Sequence, residues 1–174
     1  MGRPRPRLSL KGRALQLLAQ RDQSRLELRT KLLRHAATDA RARTAAAEAS
    51  AAGAADMVEE GDEGDRREAE VEALLDWLEA HRYLSAERFA ESRVHAREAR
   101  FGNRRIRAEL AQHGVALSAQ AAQALAASEL QRASTVRERR FAAPPRDAAE
   151  RAAQARFLAG RGFSPDVIQR VLRR

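Results

Sequence analysis

Residues 10–32 read Leu10-Lys11-Gly12-Arg13-Ala14-Leu15-Gln16-Leu17-Leu18-Ala19-Gln20-Arg21-Asp22-Gln23-Ser24-Arg25-Leu26-Glu27-Leu28-Arg29-Thr30-Lys31-Leu32, and the period of their apolar residues decides the fold class. Leu10, Ala14, Leu17 and Leu18 fall at i, i+4, i+7 and i+8, which is one face of an α-helix. Arg21 closes that segment. Ser24-Arg25-Leu26-Glu27 then has the Ser-x-x-Glu spacing of a capping box, with Leu28 and Leu32 following one turn apart. The stretch predicts two short helices joined by a tight turn at Asp22-Gln23.

The same pattern continues outward. Val71, Leu74, Leu75 and Leu78 repeat the i, i+3, i+4, i+7 spacing up to Arg82-Tyr83-Leu84, and Ser85 is read as the next N-cap, with Phe89 and Val94 pointing inward. Gly102-Asn103 breaks the chain, Asn103 is read as a cap, and Ile106 with Leu110 marks a helix that His113-Gly114 ends. Ser118 opens an Ala-rich helix to residue 127, and another runs on to Phe141, before Pro144-Pro145 forces a break. A helix from Asp147 to Gly160 carries Phe157 and Leu158. Gly162-Phe163-Ser164-Pro165-Asp166 gives a stop, a cap, a proline at the first helical position and an acid at the positive end of the dipole, and the last helix shows Ile168, Val171 and Leu172.

These pieces repeat. Aligning Ser24, Ser85 and Ser164 places Arg21, Arg82 and Arg161 at minus 3, Leu17, Leu78 and Phe157 at minus 7, and Leu28, Phe89 and Ile168 at plus 4. A second register superposes Glu27-Leu28-Arg29-Thr30-Lys31-Leu32 on Arg105-Ile106-Arg107-Ala108-Glu109-Leu110. Repetition of this kind predicts small helical modules in tandem, each leaning on its neighbours.

Composition agrees with that reading. Of 174 residues 39 are Ala and only 37 are Val, Ile, Leu, Met, Phe, Trp or Tyr, too few for one thick core. Ala, Glu, Lys, Leu and Arg make up 107, and with five Pro and nine Gly a β-sandwich or parallel α/β sheet is excluded. The expectation is an all-α chain, an elongated array of tandem helix-turn-helix-like three-helix modules with about nine short helices. Its parts are a basic disordered tail at 1–8, a first module at 9–82, a second at 83–127 and a third at 128–174.

Charge divides the chain unevenly. Residues 1–35 carry ten basic and two acidic side chains, 36–70 four and ten, 71–115 eight and seven, and 116–174 eleven and five, which sums to the net +9. The acidic interval 36–66 has only Met57 and Val58 as large apolar residues and reads as a flexible Ala-rich and acidic insert within the first module, although Ala permits nascent helix around 40–52.

Little here suggests catalysis. No Cys is present, so thiol nucleophiles, zinc thiolates and disulfides are absent, as suits a reducing cytoplasm. His35, His81, His95 and His113 lie far apart, without metal-ligand spacing. Carboxylates sit beside Arg at helical spacing, Glu109 with Arg105 among them, as on solvated faces. Neither a phosphate-cradling loop, an apolar stretch long enough to span a membrane nor an export signal is read. No enzyme, cofactor or metal is expected.

The basic residues are more informative. Arg93, Arg97 and Arg100 form a stripe that Arg104 and Arg107 continue, and Arg25, Arg29 and Lys31 decorate the second helix. Two short helices with a basic second member resemble a helix-turn-helix, and such faces can meet phosphate or an acidic protein. A solvated face is the other reading, since Glu91, Glu98 and Glu109 interrupt the same surface. Trp77, Tyr83, Phe89 and Phe101 read as the core of the central module.

Residues Leu17 to Leu32, then Tyr83-Leu84-Ser85-Ala86-Glu87-Arg88-Phe89-Ala90, then Gly102-Asn103-Arg104-Arg105-Ile106-Arg107-Ala108-Glu109-Leu110, then Arg161-Gly162-Phe163-Ser164-Pro165-Asp166-Val167-Ile168 resemble the bacterial RecX family in order and spacing. The resemblance covers residues 9–35 and 67–174. It implies a cytoplasmic, monomeric, cofactor-free regulator built of tandem three-helix modules that binds the RecA nucleoprotein filament, lies along its groove and inhibits ATP hydrolysis, strand exchange and co-protease activity. On that reading the contact residues are Arg25, Arg29, Lys31, Arg93, Arg97, Arg100, Arg104 and Arg107. Single- and double-stranded DNA would add weaker phosphate contacts, and no membrane is involved. The insert departs from the compact family pattern. The alternative is a stand-alone helix-turn-helix DNA-binding regulator.

Overall fold

In the computed structural model, which describes residues 8–50 and 60–173, every regular element among the described residues is a helix. In chain order they are α1 (Leu10–Gln20), α2 (Arg25–Ser50), α3 (Glu60–Ala80), α4 (Ala86–Glu98), α5 (Asn103–Gln112), α6 (Ala119–Glu138), α7 (Ala148–Gly160) and α8 (Pro165–Leu172). The chain divides into two compact units, Met1–Ser85 and Ala86–Arg174. Among the described residues they hold three separate apolar clusters, so the scarce large side chains are shared among small cores.

The first unit packs α1, α2 and α3 around Ala14, Leu28, Leu32, Val71, Leu75, Leu78 and Leu84. Burial of each such Leu contributes about 1.5–3 kcal/mol. Ser9 caps α1 by accepting from Gly12 N at 3.1 Å, and Ser24 caps α2 by accepting from Glu27 N at 3.1 Å. Between these helices, buried Gln23 donates to the Leu17 carbonyl at 2.9 Å, which ties the end of α1 to the start of α2. Leu84, assigned by the sequence to the second module, packs in this first cluster. Tyr83 and Trp77 also belong to this unit and not to the central module: Tyr83 is half exposed and stacks on Trp77 at 5.7 Å between centroids. The chain reaches that position through Arg82, whose φ of 59° reverses the backbone after α3.

The interval 36–66 is helical over both of its described parts: α2 runs on to Ser50 and α3 starts at Glu60. Composition misleads there because Ala, Arg and Glu form helix without needing a core, aided by i,i+4 pairs such as Arg67–Glu63 at 2.8 Å. Residues 51–59 of that interval, and residues 1–7 of the expected tail, lie outside the described residues.

In the second unit, α6 is one helix and not two. Ala126-Ala127-Ser128 offers no breaker, so the helix begun by the Ser118 cap runs unbroken to Glu138. Its first half supplies Leu125 to a cluster with Phe89, Ala90, Ile106, Leu110 and Val115. Its second half supplies Ala133 and Val136 to another with Leu158, Phe163, Val167, Ile168, Val171 and Leu172. One helix therefore serves two three-helix repeats, α4–α5–α6 and α6–α7–α8. The serine-centred register superposes helices of different rank, since Ser24 precedes the second helix of its repeat, Ser85 the first and Ser164 the last. It aligns helix starts and not equivalent repeat positions, whereas the α2–α5 register matches second helices.

Candidate functional site

The basic residues of α2 do not stand free. Arg25 meets Glu72 at 2.6 Å, Asp76 at 2.8 Å and Glu79 at 2.8 Å, and Arg29 meets Glu72 at 2.5 Å and Glu68 at 3.0 Å. Glu68, Glu72, Asp76 and Glu79 share one face of α3 because 4, 4 and 3 residues separate them. The hydrogen bond to Glu72 raises the Arg25 guanidinium further above its ordinary range, and the bonds from Arg29 and then Arg25 hold the Glu72 carboxyl below its own. Lys31 donates to Gln23 Oε1 at 2.8 Å and so braces the α1–α2 turn. These three side chains close the first unit upon itself.

The second unit gathers its arginines differently. Arg93 lies 3.3 Å from Glu109, and Arg97 holds the same carboxylate through Nε and Nη2 at 3.1 and 3.0 Å. Glu109, read from the sequence as part of a solvated face beside Arg105, is instead held by the arginines of α4. Arg105 turns to the half-buried ring of Phe101, with Cζ 4.5 Å from the centroid. Arg100 and Arg97 approach the same ring at 5.7 and 6.0 Å. Three guanidiniums on one ring gain cation–π attraction of about 0.5–1 kcal/mol each at exposed sites, yet concentrate positive charge. Arg100, Arg104, Arg105 and Arg107 are exposed and enter no salt bridge among the described residues. From the third repeat Arg161 donates Nη1 to the Arg100 carbonyl at 3.3 Å and so joins this surface. Arg105 and Arg161 lie outside the stripe reading, which follows one helical face and ignores the two turns, α4–α5 and α7–α8, that these residues border.

Beneath this surface lies a buried polar cluster centred on α6. Glu129, 5% exposed, accepts from Asn103 N at 3.0 Å and Ser164 N at 3.2 Å through Oε1, and from Ser164 Oγ at 3.2 Å through Oε2. One carboxylate thus caps α5 and α8 together, where their dipoles favour an anion. Contrary to the sequence expectation, Asn103 is not the α5 cap: Gly102 holds that position without a side chain, and Asn103 Oδ1 accepts from Arg132. Arg132 also donates to the carbonyls of Phe101 at 2.8 Å, Glu98 at 3.2 Å and Leu125 at 3.0 Å, and to Ser128 Oγ at 3.1 Å. Burial lowers the Arg132 guanidinium from its ordinary range, against the opposing pull of Glu129 and Glu98.

The two turns also meet directly. Gly102 N donates to Arg161 O at 2.9 Å and Arg104 N to Gly162 O at 3.0 Å. A Cβ on Gly102 would stand 2.2 Å from Phe163 N, so only glycine permits this approach.

Among the described residues no group of three His, Cys, Asp or Glu could hold a metal ion, and no helix is long and apolar enough to cross a membrane. What the site offers is fixed guanidinium donors suited to phosphate or carboxylate.

A family model described as the second three-helix domain of RecX matches residues 87–125, and one described as the third matches 127–172. The regulatory protein RecX of Herbaspirillum seropedicae is 47% identical over 163 residues, 92% of this chain and 87% of that protein. The chain belongs to the RecX family. The regulatory protein RecX of Ralstonia nicotianae is 46% identical over 175 residues, covering 99% of this chain and 91% of that one. The crystal structure of RecX from Lactobacillus salivarius shares the fold, with a TM-score of 0.61 at 18% identity over 94% of this chain and 92% of that one. The two matched RecX domains meet inside α6, so Glu129 and Arg132 lie in the third domain while reaching Asn103, Phe101 and Glu98 of the second.

Proposed function

We propose that this chain regulates the RecA recombinase: it binds the RecA–DNA filament and inhibits its ATP hydrolysis, strand exchange and co-protease activity. The observation that carries the reading is identity to regulatory RecX proteins along nearly the whole chain, 46% over 99% of it. The protein acts as a cytoplasmic monomer with no chemistry of its own. Its contact surface is the exposed group Arg100, Arg104 and Arg107, which Arg105 and Arg161 extend, with Arg97 held alongside by Glu109. Arg93 shares Glu109, and Arg25, Arg29 and Lys31 contribute through the outer edges of their internal pairs. Basic surface steers the chain towards an acidic, DNA-bearing filament, and phosphate contacts with DNA add a weaker term.

The bonds of Arg25 and Arg29 to α3 favour this reading over a stand-alone DNA-binding helix-turn-helix, whose recognition helix needs a basic face open to the groove. The test is RecA ATPase on single-stranded DNA with substoichiometric protein. Inhibition is expected, and Arg100→Glu with Arg104→Glu weakens it while the far-ultraviolet circular dichroism stays unchanged. Absence of inhibition, together with nanomolar binding to a particular duplex, would overturn the reading in favour of the DNA-binding one.

A further inference from the structure

We propose that Glu129 and Arg132 are positioning residues that weld the second and third repeats into one binding unit, so that arginines from both are offered to a polyanionic partner as a single surface of fixed geometry. The inference rests on the filament reading above for its functional consequence, but not for its structural part.

Three observations carry it. The pair lies 3 residues apart on α6, the helix common to both repeats, and each member reaches the opposite repeat. Glu129 caps α5 of one and α8 of the other with a single carboxylate. Arg132 closes the α4–α5 turn by taking the carbonyls of Glu98 and Phe101 and the side chain of Asn103. Glu129 is buried and Arg132 half-buried, so each depends on its partners to stay in place. Any rotation of one repeat against the other removes the Asn103 or the Ser164 bond from Glu129 and strands a desolvated charge. The joint therefore has one good arrangement.

The arrangement has a surface consequence. Arg100, Arg104 and Arg105 border the turn that Arg132 closes, and Arg161 borders the turn that Glu129 caps. The backbone bonds Gly102 N to Arg161 O and Arg104 N to Gly162 O hold these two turns together, and Arg161 Nη1 bridges to Arg100 O. Loosening the joint scatters the basic groups without removing any of them. If a loosened joint holds the competent arrangement for about a tenth of the time, apparent affinity falls about tenfold.

The chain contains no Cys, so Ala108→Cys on α5 and Gln169→Cys on α8, both exposed, accept a pair of spin labels cleanly. In the doubly labelled full chain a narrow distance distribution is expected. Glu129→Gln keeps an acceptor for both N–H groups and leaves the distribution narrow and RecA ATPase inhibition within about twofold, whereas Glu129→Ala broadens the distribution and raises the half-maximal inhibitory concentration about tenfold. Arg132→Lys keeps the charge, loses the fork and behaves as Glu129→Ala does, which keeps the test open if Glu129→Ala loses its helical signal. A narrow distribution in the folded Ala or Lys variants overturns the clamp. A broadened distribution with unchanged inhibition overturns its functional role. Failure of the unsubstituted chain to inhibit RecA removes the filament reading and, with it, the functional half of this inference, while the distance measurement still decides the structural half.

Discussion

Two groups of arginine and glutamate side chains in this chain sit under opposite conditions. Along α2 and α3 the pairs lie at the surface: Arg25 and Arg29 are 36% exposed, Glu72 39% and Asp76 70%. In the second unit Glu129 is 5% exposed, and Arg132 is held by three backbone carbonyls and two side chains. The surface seam is redundant, since Arg25 has three carboxylates to choose from and water as a fourth partner. The buried clamp has no substitutes: each bond of Glu129 goes to a group fixed at the start of a helix. The same two residue types thus act in one place as interchangeable adhesive and in the other as a selector of geometry.

The comparison breaks hardest at the joint. Gly102→Ala places a Cβ 2.2 Å from Phe163 N and 2.3 Å from the Gly162 carbonyl, both backbone atoms that cannot step aside. The expected cost is about 3 kcal/mol or more, seen as a lower urea midpoint for the second unit while α2–α3 amides keep their hydrogen-exchange protection. Glu129→Ala follows, with about 3–5 kcal/mol for leaving Arg132 and two helix N-termini without their anion. The matched change in the seam, Glu72→Ala, removes two ion pairs and costs no more than about 1 kcal/mol, because Arg25 keeps Asp76 and Glu79. Equal losses at Glu129 and Glu72 would erase the distinction. Gly162→Ala should lie between them at about 1–3 kcal/mol, since a side chain at φ +82° is strained and its Cβ would meet that of Arg105 at 2.5 Å.

Those elements with a local signal were legible in the sequence. The Ser24 and Ser118 caps, the stop at His113-Gly114 and the apolar face of Leu28, Leu32, Val71, Leu75 and Leu78 follow from spacing of a few residues, and the structure has them. So does the resemblance to RecX, which depends on order along the chain. The joint was not legible. Glu129 lies 26 residues from Asn103 and 35 from Ser164, and on a helical wheel it looks like any carboxylate of an Ala-rich surface helix. Its burial arises from a tertiary contact, and the one local hint is the pair of glycines, Gly102 and Gly162, that let two turns touch. The continuity of α6 was missed for a related reason: a shared helix looks like two when modules are counted one by one. Among the candidate arginines, spacing found the stripe but could not show that Glu109 draws Arg93 and Arg97 together while Arg105 turns to Phe101.

The smallest effects sharpen the comparison through solvent alone. Glu72 is held below the ordinary carboxylate range by hydrogen bonds from Arg29 and Arg25, so its contribution to the seam is complete above the unfolded carboxylate value of about 4.3 and is lost as pH falls through the lower folded one. Lowering pH from 7 to 5 should therefore leave α2–α3 amide protection unchanged, and loss should begin only below about 4. Salt separates the two sites without touching protonation. At 1 M the screening length is about 3 Å, short enough to weaken exposed pairs but unable to reach charges from which mobile ions are excluded. Hydrogen exchange across 0.05–1 M sodium chloride should show α2 and α3 opening more readily as salt rises, with α5 and α8 constant around Glu129. Constant protection in both units would mean that the seam's carboxylates add little beyond the apolar contacts of Leu28, Leu32, Val71 and Leu75 beneath them. A fall in both would mean that water and ions enter the joint, and then Glu129 holds its two helices no more selectively than Glu72 holds its two arginines.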